Sequence, residues 1–189
     1  MGIDGNPKNR ILVFLYKNQE KKSSCDLLKK SIEIFSEKTG IPLDTAQIIR
    51  DGRGKPGFEE DCGAFFSISH TKNIWACAFA RQPVGFDIER VRPCREEMIA
   101  GRFFHREEAA FVARHKERFF EVWTAKESYV KYTGEGITEG FGAFSVISGD
   151  EISRFVNDVQ LCHFSGIEGC NACLCAGNIG MIKIIEMAK

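Results

Sequence analysis

From Arg106 to Thr133 the chain contains neither glycine nor proline, and apolar residues recur at Ala109, Phe111, Val112, Phe119, Phe120, Trp123 and Val130. A stretch without breakers and with that spacing reads as helix. One unbroken helix of this length would be long for so small a domain, so the reading splits it in two around the charged Arg114-His115-Lys116-Glu117-Arg118. The second helix carries Glu121 to Lys131, within which Trp123, Glu127, Val130 and Lys131 fall at helical spacings. One helix face then presents an aromatic, an acid and a base together. Gly134 and Gly136 give this helix a place to stop.

The other segments are shorter. Ile11 to Tyr16 is an apolar, β-rich run, and Ser24 to Glu37 has Leu27, Leu28, Ile32 and Phe35 at amphipathic-helix spacing, closed by Thr39-Gly40. The turn-rich Asp51 to Phe58 holds three glycines and a proline, which predicts an irregular loop able to approach a phosphate. Phe65 to His70 and Ile74 to Ala80 read as a strand pair. Val84-Gly85-Phe86-Asp87-Ile88-Glu89 alternates apolar and acidic residues as a half-buried strand does, with Asp87 and Glu89 sharing one face. After Pro93, Glu96 to Phe104 is a helical window. Beyond Gly136 come Phe144 to Ile147, Glu151 to Phe155, Val159 to Phe164, Ala172 to Ala176 and Ile182 to Met187 as short strands. The order, strand–helix–strands and then helices–strands, predicts an α+β fold in two similar lobes, about 1–86 and 87–189.

Composition narrows the function. With 26 basic and 26 acidic residues there is no global field to attract nucleic acid or a membrane surface, so a bound polyanion must be held by a local cluster. No run approaches the roughly 18 apolar residues of a membrane span. Met1 to Pro7 lacks the basic and apolar regions of a leader, and a cytoplasmic location is expected. The 8 cysteines are then expected to be reduced. Cys170, Cys173 and Cys175, with Cys162 and His163 nearby, lack the second paired half of a zinc motif; Ala172 to Ala176 reads instead as a buried strand using cysteine as a small hydrophobe.

If Asp87, Glu89 and Glu127 converge, three hard oxygen donors without histidine suit Mg²⁺ or Mn²⁺, and Mg²⁺ is commonly completed by substrate phosphate. Lys55, Lys126, Lys131 and His70 are the positive groups available for the remaining phosphate oxygens. Each piece also has an ordinary explanation. Glu127 and Lys131 at i, i+4 can be a surface ion pair contributing a few tenths of a kcal/mol. Asp87 and Glu89 can be the solvated face of an edge strand.

Taken together, Val84 to Glu89 followed by Trp123 to Lys131 resembles the two-part signature of the 4′-phosphopantetheinyl transferases, G-x-D-x-E and W-x-x-K-E-x-x-x-K. Gly54-Lys55-Pro56 and Ser69-His70 are similar to segments of the larger, surfactin-synthetase-activating type, and Lys131 to Val146 continues like its K-x-x-G-x-G segment. The resemblance implies a pseudo-two-fold α+β fold with coenzyme A bound between the lobes. By similarity, Asp87, Glu89 and Glu127 would bind Mg²⁺ with the coenzyme A pyrophosphate. Lys131 would contact the phosphates with Lys126 nearby, and Lys55, Ser69 and His70 would hold the nucleotide end. The serine of an apo acyl or peptidyl carrier protein would attack the β-phosphate and release 3′,5′-ADP, with Glu127 the candidate base. A monomer is expected. The competing expectation is a catalytically inactive coenzyme A-binding regulatory protein. The chain departs from the larger type in having Lys29, Lys30 and Lys38 but no arginine between Asp26 and Lys38, and in the bulk of Phe86.

Overall fold

The computed structural model describes residues 9–17, 22–59, 62–136, 140–164 and 167–187. Met1 to Pro7, the segment examined for a leader, lies outside them. The structure is α+β and divides into two compact units, one comprising residues 1–84 with 177–189, the other residues 85–176.

The first unit is built on β1 (Arg10–Lys17), β4 (Phe65–Thr71), β5 (Ile74–Ala80) and β12 (Met181–Met187), in the order β12-β1-β5-β4. Neighbouring β1 and β5, and β5 and β4, are antiparallel, whereas β12 runs parallel to β1 with Arg10 opposite Met181. Helix α1 (Ser24–Thr39) starts at a capping box, Ser23 with Asp26, which satisfies two backbone donors at its first turn. Its buried stripe, Leu27, Leu28, Ile32 and Phe35, joins Phe14, Tyr16, Phe66 and Phe79 in one core. The Phe35 ring stacks on Phe79 at 5.1 Å, and burying each such side chain stabilises by about 1.5–3 kcal/mol.

Two expectations are corrected here. The Gly- and Pro-rich segment is a hairpin rather than an irregular loop: β2 (Ile48–Arg50) pairs antiparallel with β3 (Pro56–Phe58). Pro56 stands at the first residue of its strand, where a missing N–H is tolerated. The Asp51 carboxylate accepts from the Arg53 and Lys55 amides, each at 2.9 Å, and so shapes the turn between them. The lobe boundary also differs from 1–86 and 87–189, because β12 returns to complete the first sheet.

In the second unit β6 (Val84–Arg90), β9 (Phe155–Val156), β10 (Val159–Phe164) and β11 (Cys170–Ala176) form a sheet ordered β6-β11-β10-β9. Three helices accompany it: α2 (Glu96–Phe103), α3 (Arg106–Arg114) and α4 (Phe119–Thr133), with a 3₁₀ turn between the last two at Lys116–Arg118. The break falls at the charged stretch, as the spacing predicts. α4 is buried on nearly all sides, with Phe119, Phe120, Val122, Ala125, Tyr129 and Val130 in a core shared with Phe104, Phe111, Leu161, Cys173 and Cys175. Those two thiols act as small apolar groups; burial pushes the Cys173 thiol up to about 12. Gly134, at φ 77°, caps α4 in the left-handed conformation.

Phe144 to Ile147 is a turn that reaches only a two-residue strand, β7 (Ile147–Ser148), paired with β8 (Glu151–Ile152). The reason is chemical: the Phe144 carbonyl and the Val146 amide bond to the side chains of Lys126 and Glu108 rather than to a neighbouring strand. Among the described residues no helix is long and apolar enough to cross a membrane.

Candidate active site

The site begins with a close approach of backbone to backbone. A Cβ on Gly85 would stand 1.8 Å from the Ser128 carbonyl oxygen and 2.6 Å from the Tyr132 amide nitrogen. Only glycine lets β6 seat directly on α4. Two residues further, Asp87 is buried, and Lys131 Nζ donates to its Oδ1 at 2.7 Å. Glu89, another two residues on and on the same strand face, pairs with Arg92 at 3.1 Å. From the helix comes Glu127, only 6% exposed.

Burial, first, and then the charges of Asp87 and Glu89 push the Glu127 carboxyl up from 4.5 to about 7, while Lys131 pulls it the other way. Three carboxylates from β6 and α4 therefore lie in one another's fields, with one ammonium among them. Among the described residues no three acidic, imidazole or thiol groups are close enough to hold a metal ion as they stand. The Lys131 ammonium on Asp87 supplies the positive charge instead.

Lys126 differs from its expected role of coenzyme A contact. It is 0% exposed and its Nζ donates to Glu108 Oε1 at 3.0 Å and to the Phe144 carbonyl at 2.8 Å, with Glu108 Oε2 at 2.7 Å. Rings close the remaining sides, Phe144 at 3.9 Å, Phe141 at 5.2 Å and Phe104 at 5.8 Å from Nζ. Burial lowers the lysine pKa and Glu108 opposes that shift. Adjacent helix residues point about 100° apart, so the face that carries Glu127 cannot also carry Lys126.

Sequence reasoning missed Glu108. Two signals were present: it is the third helical residue after the His105 cap, whose amide donates to Glu108 Oε2 at 2.9 Å, and it lies three and four residues before the core residues Phe111 and Val112.

The remaining candidates belong to the first unit. Lys55 is half-buried at the end of the β2–β3 turn. Ser69 and His70 are neighbours in β4, opposite Ala76 and Trp75, and so project to opposite sheet faces. Ser69 is buried, whereas His70 is exposed and lines a small cavity of about 130 Å³ with Lys22, Ser24, Lys72 and Trp75. In the second unit a depression of about 570 Å³ lies beside Glu121, His163 and Phe164, and none of the three acids of the site lines it.

Comparison with known proteins bears on this geometry. Residues 83–173, which contain β6 and α4, match the profile of the 4′-phosphopantetheinyl transferase superfamily. The 4′-phosphopantetheinyl transferase Sfp of Bacillus subtilis (strain 168) is 39% identical over 98 residues, covering 49% of this chain and 43% of that protein. The 4′-phosphopantetheinyl transferase psf-1 of Bacillus pumilus is 32% identical over 117 residues, 59% of this chain and 50% of its own. AcpT of Escherichia coli (strain K12) is 28% identical over 128 residues, 64% of this chain and 63% of its own. The chain spans about half the length of most of the curated relatives it matches. Asp87, Glu89, Lys126, Glu127 and Lys131 all fall inside the matched segment, and it is through that segment that the chain is similar to the 4′-phosphopantetheinyl transferase superfamily.

Proposed function

We propose that this protein transfers the 4′-phosphopantetheine group of coenzyme A to a serine of an apo acyl or peptidyl carrier protein, releasing 3′,5′-ADP. The supporting observation is that Glu127 lies in the field of Asp87 and Glu89, with Lys131 on Asp87, inside the segment that matches the superfamily. The donors fit a hard divalent cation: all are carboxylates, and the Glu127 carboxyl, raised first by burial and then by the charges of Asp87 and Glu89, sits in a field that such a cation would relieve. Asp87, Glu89 and Glu127 would hold Mg²⁺, with Mn²⁺ an alternative. Bound there, the ion would neutralise and orient the diphosphate of the co-substrate.

The residues of the chain do the rest. Lys131, 27% exposed in its side chain, can offer its ammonium to phosphate oxygens from the same face of α4. The carrier serine oxygen forms a bond to the β-phosphorus as the bridging oxygen leaves with the 3′,5′-ADP moiety. Glu127, in its ionised form, would take the serine proton, directly or through water. Lys55, Ser69 and His70 are proposed for the nucleotide end. The reaction is proposed to take place in the cytoplasm, with the protein acting as a monomer.

The test is incubation with coenzyme A, Mg²⁺ and a panel of apo carrier proteins, followed by mass spectrometry of the carrier. A gain of one phosphopantetheine mass per carrier, dependent on Mg²⁺, is expected. Tight coenzyme A binding with no modified carrier across the panel would replace this reading with a regulatory binding protein.

A further inference from the structure

The second unit holds a charged pair that the proposed reaction does not use. Lys126 and Glu108 are both 0% exposed, and removing charges from water is costly unless every polar atom finds a partner. Here the partners are found. Glu108 Oε1 accepts from Lys126 and, at 2.7 Å, from the Val146 amide; Oε2 accepts from the His105 amide at 2.9 Å. Lys126 in turn donates to the Phe144 carbonyl. Four separate pieces of chain are thereby tied at one point: the entry to α3, α3 itself, α4 and the 144–146 turn.

Helix α4 is the element that delivers Glu127 and Lys131. The Phe, Val and Tyr contacts of this buried helix are non-directional, whereas charged hydrogen bonds fix direction. Lys126 precedes Glu127 immediately, so the orientation of α4 that satisfies Lys126 also sets the direction in which Glu127 leaves the helix.

We infer that Lys126 and Glu108 are positioning residues for the transfer reaction: they lock the rotation of α4 and hold the 144–146 turn against it, and Lys126 does not touch the phosphates. The inference rests on the proposed function for its kinetic readout, and on the geometry alone for its structural one.

The test uses Lys126→Met, which keeps the length of the side chain and removes the donor, and the double variant Lys126→Met/Glu108→Gln, which keeps an acceptor for one of the two amides and leaves no unpaired buried charge. Turnover with coenzyme A, Mg²⁺ and apo carrier is measured well below each melting temperature. Lys126→Met should lower kcat about 100-fold, the scale of a misplacement near 1 Å, with KM for coenzyme A kept within twofold. The double variant should regain thermal stability without regaining kcat. A tenfold rise in KM with kcat retained would make Lys126 a phosphate contact and overturn the inference. Recovery of kcat together with stability would reduce the pair to a structural role and overturn it equally. Hydrogen exchange at the Val146 amide is read alongside. Protection should fall at least tenfold more in Glu108→Ala than at core amides of β11, and equal loss at both would refute the tie. This readout stands whether or not the wild-type protein modifies a carrier, so failure of the proposed function and failure of the pairing are told apart.

Discussion

Two lysines on one helix, Lys126 and Lys131, meet opposite surroundings. Lys126 is sealed among three phenylalanine rings, paired with Glu108 and hydrogen-bonded to the Phe144 carbonyl. Lys131 reaches Asp87 at the same 2.7 Å, yet keeps 27% of its side chain in contact with solvent, beside two further carboxylates. The distance is equal and the consequence differs. On one side of α4 charge is paired and sealed within the fold; on the other three carboxylates meet Lys131 and, on Glu89, the exposed Arg92, at the edge of solvent. The proposed site for a charged substrate lies on the second side.

Breaking the sealed side should cost the most. Glu108→Ala leaves the Lys126 ammonium buried among rings and two amides without an acceptor, and should lose about 3–5 kcal/mol of stability in urea unfolding. A loss below 1 kcal/mol would mean that the pair is not sealed. On the solvent-edge side the signs should reverse. Glu127→Gln removes a repelled charge, so the protein should fold at least as well, while carrier modification falls about 10³-fold. Near-normal turnover would remove Glu127 from the chemistry.

The same contrast predicts a pH dependence for the metal-free protein. A Glu127 carboxyl raised from 4.5 to about 7 is protonated in the fold where it is ionised in the unfolded chain. Its contribution is complete below pH 4.5 and is lost as pH rises through 7, a decline on the order of 3 kcal/mol at most. Melting temperatures of wild type and Glu127→Gln should therefore diverge upward from pH 5 to pH 8, and parallel curves would contradict the shared field. The smallest effect is at the rim. Arg92, 56% exposed on Glu89, should change stability by less than about 0.5 kcal/mol on replacement by alanine.

Much of this was visible in the chain. Helix α4 could be read because nothing interrupts it and its stop is a glycine; Asp87 and Glu89 because a strand separates faces by alternation; the pairing of these two pieces because their motifs resemble a known signature. What stayed hidden follows one rule. A lysine within a helix looks solvated until its partner is known, and Glu108 lies 18 residues away on another helix. The β2–β3 hairpin was obscured by the residues that shape its turn, and Phe144 to Ile147 looked like a strand because its apolar residues gave no hint that side chains would claim its backbone. Ser69 and His70 read as a joint site in sequence, and strand geometry sends them to opposite faces.

The parallel seat of β12 beside β1 carries a consequence for assembly. Residues 181–187 are the partners of a strand made long before them, and the whole second unit is inserted between the two. Until those residues leave the ribosome, β1 presents a bare edge of N–H and C=O groups, open to pairing with another chain. The second unit has all its strands and helices within one continuous stretch and can mature first. Closure of the first is then a late, long-range event, and shortening the protein before Met181 should raise aggregation well before it disturbs the acidic trio.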